Sequence, residues 1–365
     1  MAWDMIGHEW AINLLSQHLA TSKVRHAYLF TGPDAVGKRT LALSFAQALN
    51  CEAPPAPGET CGECRACRLI PKQKYPDLHV VEVGQLDRKV EVKSDLQVAK
   101  GKYRDDATYM RQQSSEVKIK QIRLLQRQLA LAPYEGRWRV ALLLRFWEAS
   151  SNAANALLKT LEEPSPQVVL LLTARSAESL LPTIVSRCEV IPLRTLARDE
   201  LEAGLVARGI SDDRASLLAG LSAGRPGWAL QLAENPEQLE GRTALLEDLF
   251  SLLGKTRGER FNYAAKFKPS RRESLSKVRE RAVETLETWL SLWRDVMIIA
   301  FGATASEQNP DRRSDMERVA SSIDPTQVVD AVQATRRTLQ AVHQYSNIQL
   351  AMETLMLDLP RLLNG

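Results

Sequence analysis

Two groups of residues have types and spacings that can do chemistry. The first lies in Gly32-Pro33-Asp34-Ala35-Val36-Gly37-Lys38-Arg39-Thr40. Gly32, Gly37 and Lys38 match the phosphate-binding pattern G-x-x-x-x-G-K-[S/T]. In that pattern backbone N–H groups and a helix start face an anion, and the lysine reaches its outer phosphates. The match fails at Arg39, where the hydroxyl that ligates Mg²⁺ belongs. Thr40 comes one residue late, a rotation of about 100° on a helix, and cannot simply stand in. Gly32, Gly37, Lys38 and Thr40 are therefore the candidate nucleotide-binding residues, with ATP or ADP held without hydrolysis. The second group is Cys51, Cys61, Cys64 and Cys67, four of the chain's five cysteines. Two C-x-x-C steps share Cys64, and such spacing suits a tetrahedral Cys₄ zinc site with no open position, hence a structural one. Two disulfides or four free thiols are the alternatives; a reducing compartment disfavours the first and the clustering the second.

These residues need strands and helices to hold them. An apolar run at Tyr28–Phe30 leads into the glycine loop, and Leu41–Leu49 reads as the helix after it. Trp10–Leu19 has helical spacing ahead of them. Further strands are expected at Leu78–Val83, Arg139–Leu144, Val168–Leu172 and Glu189–Leu193, with helices at Lys118–Ala130, Ser151–Leu161 and Leu180–Ser186. Continuous apolar strands alternating with helices describe an α/β parallel sheet covered on both faces. The polar stretch 84–116 is expected to be an insertion, either a protruding hairpin or a disordered loop. The cysteine knuckle, 51–67, is likewise expected to lie outside the main core. From Ala197 onward only helical patterns occur. The basic segment Lys255–Glu273, with Phe261, Tyr263 and Phe267, is expected to be a solvated loop between bundle helices.

A chain of 365 residues is too long for one core. Expected domains are a nucleotide-binding-like sheet domain at 1–194, a helical lid at 195–237 and a helical collar at 238–365. A net charge of +4 permits contact with nucleic acid without arguing for it. The start, MAWDMIGHEW, is not a signal peptide, and no apolar run approaches the ~20 residues of a membrane span. A cytoplasmic protein is expected.

Further motifs carry a family resemblance: Asn155-Ala-Leu-Leu-Lys-Thr-Leu-Glu-Glu-Pro164, Ser186-Arg187-Cys188, Ile6–Glu9, Arg25–Phe30, Pro76–His79 and Asn347–Leu357. With the four-cysteine knuckle, they resemble the bacterial clamp-loader subunits of the AAA+ class that serve DNA polymerase III. That family has an ATP-hydrolysing gamma/tau type and a delta-prime type without a working ATPase. The resemblance implies an acid pair ten and eleven residues before Asn155; this chain has Leu144 and Arg145 there. Neither can hold Mg²⁺ or position water. It also implies an arginine in a G-x-x-R step, and Gly224-Arg225-Pro226-Gly227 ends in glycine instead. Ser186-Arg187-Cys188 is intact, and in the family this arginine acts in trans on a neighbouring subunit's ATP. The resemblance thus implies a non-hydrolysing delta-prime-like subunit of a hetero-oligomer. Its implied partners are the gamma/tau and delta subunits and, through the complex, the sliding clamp and primer–template DNA. A gamma/tau-type ATPase with atypical ligands and a stand-alone nucleic-acid-binding protein are the rival readings.

Overall fold

The computed structural model describes residues 3–56, 58–83, 116–269, 275–305, 307–344 and 346–362. The expected insertion at 84–116 falls outside them except for Glu116. Two compact units emerge: Met1–Leu196 with Arg225–Gly227, and Ala197–Gly224 with Trp228–Gly365.

In the first unit five parallel strands form one sheet: β1 (Ala27–Thr31), β2 (Leu78–Val81), β3 (Arg139–Leu143), β4 (Val168–Ala174) and β5 (Glu189–Pro192), in the order β2-β3-β4-β1-β5. β1, β3 and β4 are buried along their whole length. That burial is why their sequences run apolar without alternation. Side chains still alternate between two cores, since successive residues of a strand point to opposite faces. Val140 and Leu142 pack with Phe45 and Leu41, whereas Ala141 and Leu143 pack with Leu125 and Leu157. The first face carries α1 (Glu9–Ala20), α2 (Lys38–Asn50) and α3 (Arg65–Leu69). The second carries α4 (Ile119–Leu129), α5 (Ser151–Glu162) and the single turn α6 (Pro182–Val185). β4 runs two residues past its apolar stretch because Thr173 and Ala174 pair with Phe30 and Thr31 of β1.

Two expectations need correction here. The knuckle is not outside the core: Ala66 and Ile70 are fully buried in the cluster that contains Phe45 and Leu41. Trp3 Nε1 donates to Gly58 O at 2.6 Å, and Gln47 Nε2 donates to Cys67 O at 2.9 Å. Apolar residues interleaved with the cysteines make this a core element as well as a loop.

The second unit is helical among its described residues, with α7 (Arg198–Val206), α8 (Asp212–Ser222), α9 (Pro226–Glu234, whose first two residues group with the first unit) and α10 (Pro236–Leu253). There follow α11 (Arg257–Ala264), α12 (Leu275–Ala300), α13 (Arg313–Ser322), α14 (Pro325–His343) and α15 (Ile348–Asp358). Trp289 and Trp293 of α12 are at the centre of its core. The second correction is the basic segment. Its residues Arg257–Ala264 form α11 rather than a loop, started by a capping box in which Thr256 and Glu259 exchange bonds. Tyr263 and Phe267, four residues apart and so on one helix face, are buried, and Tyr263 stacks on Trp289 at 5.7 Å. Arg260 is buried too. Its guanidinium donates to Leu252 O (2.9 Å), Leu253 O (3.3 Å), Met356 O (3.3 Å), Leu359 O (2.7 Å) and Pro360 O (2.7 Å). It therefore closes the C-terminal ends of α10 and α15, where carbonyls lack helical partners.

Candidate functional site

The C-terminal ends of β3, β4 and β1 lie side by side, the place where open parallel sheets hold their ligands. The loop after β1 is the glycine loop. Gly32 has φ 140°, and a Cβ there would sit 2.2 Å from Leu193 O, so only glycine fits. Gly32 N donates to Arg175 O at 3.0 Å, tying the loop to the end of β4. Gly37 caps α2, and Lys38 is the helix's first residue. Lys38 is buried, with Nζ donating to Gly32 O and to Pro33 O (2.7 Å) and 3.7 Å from Asp34. Burial lowers its pKa below the ordinary lysine value, partly opposed by Asp34. Arg39 and Thr40 are both exposed on the same helix.

Where the resemblance would place an acid pair, the structure places an apolar residue and a cation. Leu144 is buried, and Arg145 has φ 51° with its N–H donating to Thr173 Oγ1 at 2.8 Å. The Arg145 guanidinium pairs with Glu148, which leaves that carboxylate bound to a cation. Arg175 donates to Asp34 through Nε (3.2 Å) and Nη2 (3.0 Å). Lys38, Arg145 and Arg175 surround the Trp147 ring at 5.8, 5.6 and 5.2 Å from its centroid. Asp34 and Glu148, the carboxylates beside them, are both paired to these cations rather than left free to ligate a divalent metal. Gly227 N donates to Ala35 O at 2.9 Å, and a Cβ on Gly227 would approach that oxygen to 2.8 Å. An arginine side chain has no room there.

Arg187 follows α6. Nη1 donates to Thr183 O at 2.9 Å and lies 3.4 Å from Ser186 Oγ, and Nη2 donates to Glu162 Oε1 at 2.8 Å. Neighbouring Cys188 is half-buried, and desolvation pushes its thiol pKa up to about 12, so it is inert at neutral pH.

The four cysteines come together with their sulfurs all within 4.8 Å of one another. Cys61 and Cys67 sulfurs are 3.9 Å apart, close to the edge of about 3.8 Å that Zn–S bonds of about 2.3 Å give a tetrahedron. Backbone N–H groups of Cys61, Cys64 and Cys67 donate to the sulfurs of Cys51, Cys61 and Cys64 at 3.2, 3.3 and 3.5 Å. N–H groups of Cys64 and Glu63 bring the Cys61 pKa down to about 6, whereas burial pushes the Cys51 and Cys67 thiols up, the cost that a bound cation would offset. The donor set and spacing fit a metal ion, and this cluster can hold one.

Trp147, Thr173 and Arg175 belong to these sites without a motif that marks them, while Asp34 and Glu162 lie inside quoted motifs that give them no role of their own. Trp147, an aromatic beside a cation just past a strand, is the nearest to a readable signal.

A five-stranded parallel sheet of this order, with a glycine loop after its first strand and a C-terminal region that is helical among its described residues, is the AAA+ architecture. A family model described as "DNA polymerase III, delta subunit" matches residues 7–197. The chain belongs to that family. It is 27% identical over 349 residues to DNA polymerase III subunit delta' of Bacillus subtilis, covering 95% of this chain and 94% of that one. To the subunit delta' of Pseudomonas aeruginosa it is 35% identical over 230 residues, 62% of this chain and 61% of that one. A solved gamma subunit-related protein from Thermotoga maritima overlaps 96% of this chain and 97% of its own, with 17% identity and a TM-score of 0.41. No helix among the described residues is long and apolar enough to cross a membrane.

Proposed function

We propose that this DNA polymerase III clamp-loader subunit is of the delta-prime type: it does not hydrolyse ATP and supplies Arg187 to a neighbour's ATP site. The carrying observation is that buried Leu144 and the cation Arg145 stand where the acid pair would be, with Lys38 and Arg175 beside Arg145 around Trp147. Hydrolysis needs Mg²⁺ bridging the phosphates and an acid to orient water. Here the glycine loop keeps its form, but cations take the metal's place, so any nucleotide is held by charge and backbone N–H groups. Arg187, on the surface beyond β4, is a planar cation of the kind that stabilises charge on a transferring phosphoryl group. The four thiolates hold a structural zinc ion that locks α3 against the sheet. The partners are gamma/tau and delta subunits and, through the complex, the sliding clamp and primed DNA; the setting is the cytoplasm.

The test assays ATP hydrolysis by the purified chain, by a gamma/tau-type subunit and by the assembled loader with DNA and clamp. The chain alone should be inactive, and Arg187→Ala should slow the neighbouring site by a factor on the order of 10³–10⁵ without dissolving the complex. Hydrolysis by the chain alone that is lost on Lys38→Ala would establish the rival ATPase reading.

A further inference from the structure

We infer that Glu162 positions the Arg187 finger. The inference rests on the reading of Arg187 as a finger and deepens it by naming the residue that holds it.

Glu162 is the last residue of α5 and stands 25 positions before Arg187 in the chain. A carboxylate at a helix C-terminus is opposed by the helix dipole, so α5 gains nothing from it. Nor does the pair add much to stability: the Arg187 and Glu162 side chains are 35% and 50% exposed, and exposed ion pairs are weak. What the contact does is geometric. Thr183 O and Ser186 Oγ approach Nη1 from α6, and Glu162 approaches Nη2 from α5. Contacts from two separate helices fix the plane of a guanidinium that would otherwise sweep through many rotamers. A guanidinium has five N–H donors, and these contacts engage at most three, so at least two remain for phosphoryl oxygens. Bidentate recognition of phosphate depends on the orientation of that plane.

Glu162 touches Arg187 and not the phosphate, so it is a positioning residue. Its neighbour Glu163 is exposed just beyond α5 and provides a control on the same surface.

The experiment reconstitutes the loader so that only the ATPase subunit beside this chain keeps its P-loop lysine. DNA- and clamp-stimulated kcat and KM for ATP are measured with Glu162→Ala, Glu162→Gln, Glu163→Ala, Arg187→Ala and the Glu162→Ala/Arg187→Ala double variant. Glu162→Ala should lower kcat about ten- to a hundredfold, the cost of a slightly misplaced catalytic group, with KM nearly unchanged. Glu162→Gln keeps an acceptor without the charge and should fall between Glu162→Ala and the parent. Glu163→Ala should match the parent. The double variant should be no slower than Arg187→Ala, because Glu162 acts only through the arginine. Thermal unfolding should be unchanged throughout, which separates positioning from a structural role. If Arg187→Ala slows hydrolysis while Glu162→Ala leaves kcat at the parent value, raises it, or adds its full effect to Arg187→Ala, the positioning inference is overturned and the finger stands. If Arg187→Ala is as fast as the parent, the finger reading falls and takes this inference with it.

Discussion

Replacing Asp77 tests how the sheet end opposite the glycine loop is held. Asp77 is fully buried and accepts from the backbone N–H groups of Tyr134 (2.7 Å), Glu135 (2.9 Å) and Gly136 (2.8 Å). Its Oδ1 also lies 3.3 Å from Arg139 Nη2, whose side chain is only 8% exposed. Burial alone would raise this carboxyl's pKa, but the three N–H groups and Arg139 together hold it below the usual value. Asp77→Ala removes both kinds of partner. The loop N–H groups can turn to water, since Tyr134 is 81% exposed, so they add little to the cost. Arg139 cannot: it keeps Gln128 O and Ala132 O as acceptors but loses its only carboxylate partner among the described ion pairs. Breaking a buried pair costs about 3–5 kcal/mol, and the two retained carbonyls place this one near the lower end, about 3 kcal/mol. For a unit of this size that is a fall of roughly 6–12 °C in Tm. Adding Arg139→Met should recover part of the loss, because the unpaired charge goes. The carboxyl's folded pKa is depressed, so its stabilisation is complete above the unfolded value of about 3.9 and disappears as the pH falls through the folded value. Parent and Asp77→Ala melting curves should therefore converge in acid. A Tm within about 3 °C of the parent at neutral pH, or no recovery with Arg139→Met, would refute this account.

Three other outcomes are expected. The purified chain should carry one zinc by elemental analysis, and Cys64→Ser should release it. Because Ala66 and Ile70 sit in the sheet's core, that loss should lower the melting temperature of the whole first unit rather than loosen 51–67 alone. Calorimetry should find ADP binding that EDTA leaves unchanged, given the cations at the metal's place; binding that collapses without Mg²⁺ would contradict the site described. Arg260→Met should destabilise the second unit by about 3 kcal/mol, read by urea unfolding, because Met356 O, Leu359 O and Pro360 O lose this donor, while Leu252 O and Leu253 O keep backbone N–H partners.

The sheet was legible because its three central strands are runs of apolar residues and the longer covering helices repeat at helical spacing. The glycine loop and the cysteines were legible because their chemistry is local: all the participants lie within one short stretch. What escaped was long-range. Arg175 reaches Asp34 across 141 residues, and Glu162 reaches Arg187 across 25, through pairings that no spacing rule anticipates. The segment 255–273 misled through composition. Its charges suggested a loop, whereas the pair Tyr263 and Phe267 and the box Thr256–Glu259 were the better signal. The interleaving of Ala66 and Ile70 with Cys64 and Cys67 likewise marked the knuckle as part of the core.

Arg260 has a consequence for how the chain acquires its shape. Three of its acceptors lie 96 to 100 residues farther on, at Met356, Leu359 and Pro360. A chain emerging from the ribosome makes α11 long before those carbonyls exist, so until α15 is synthesised the guanidinium has only Leu252 O and Leu253 O of its five acceptors. The first unit's sheet lies almost wholly upstream and can fold as it appears. The second unit must wait for its final helix, and the closure of so long a loop places it among the slower steps of maturation. Newly made chains would then pass through a stage with a finished sheet and an open helical bundle, and that bundle is the part that a chaperone would meet.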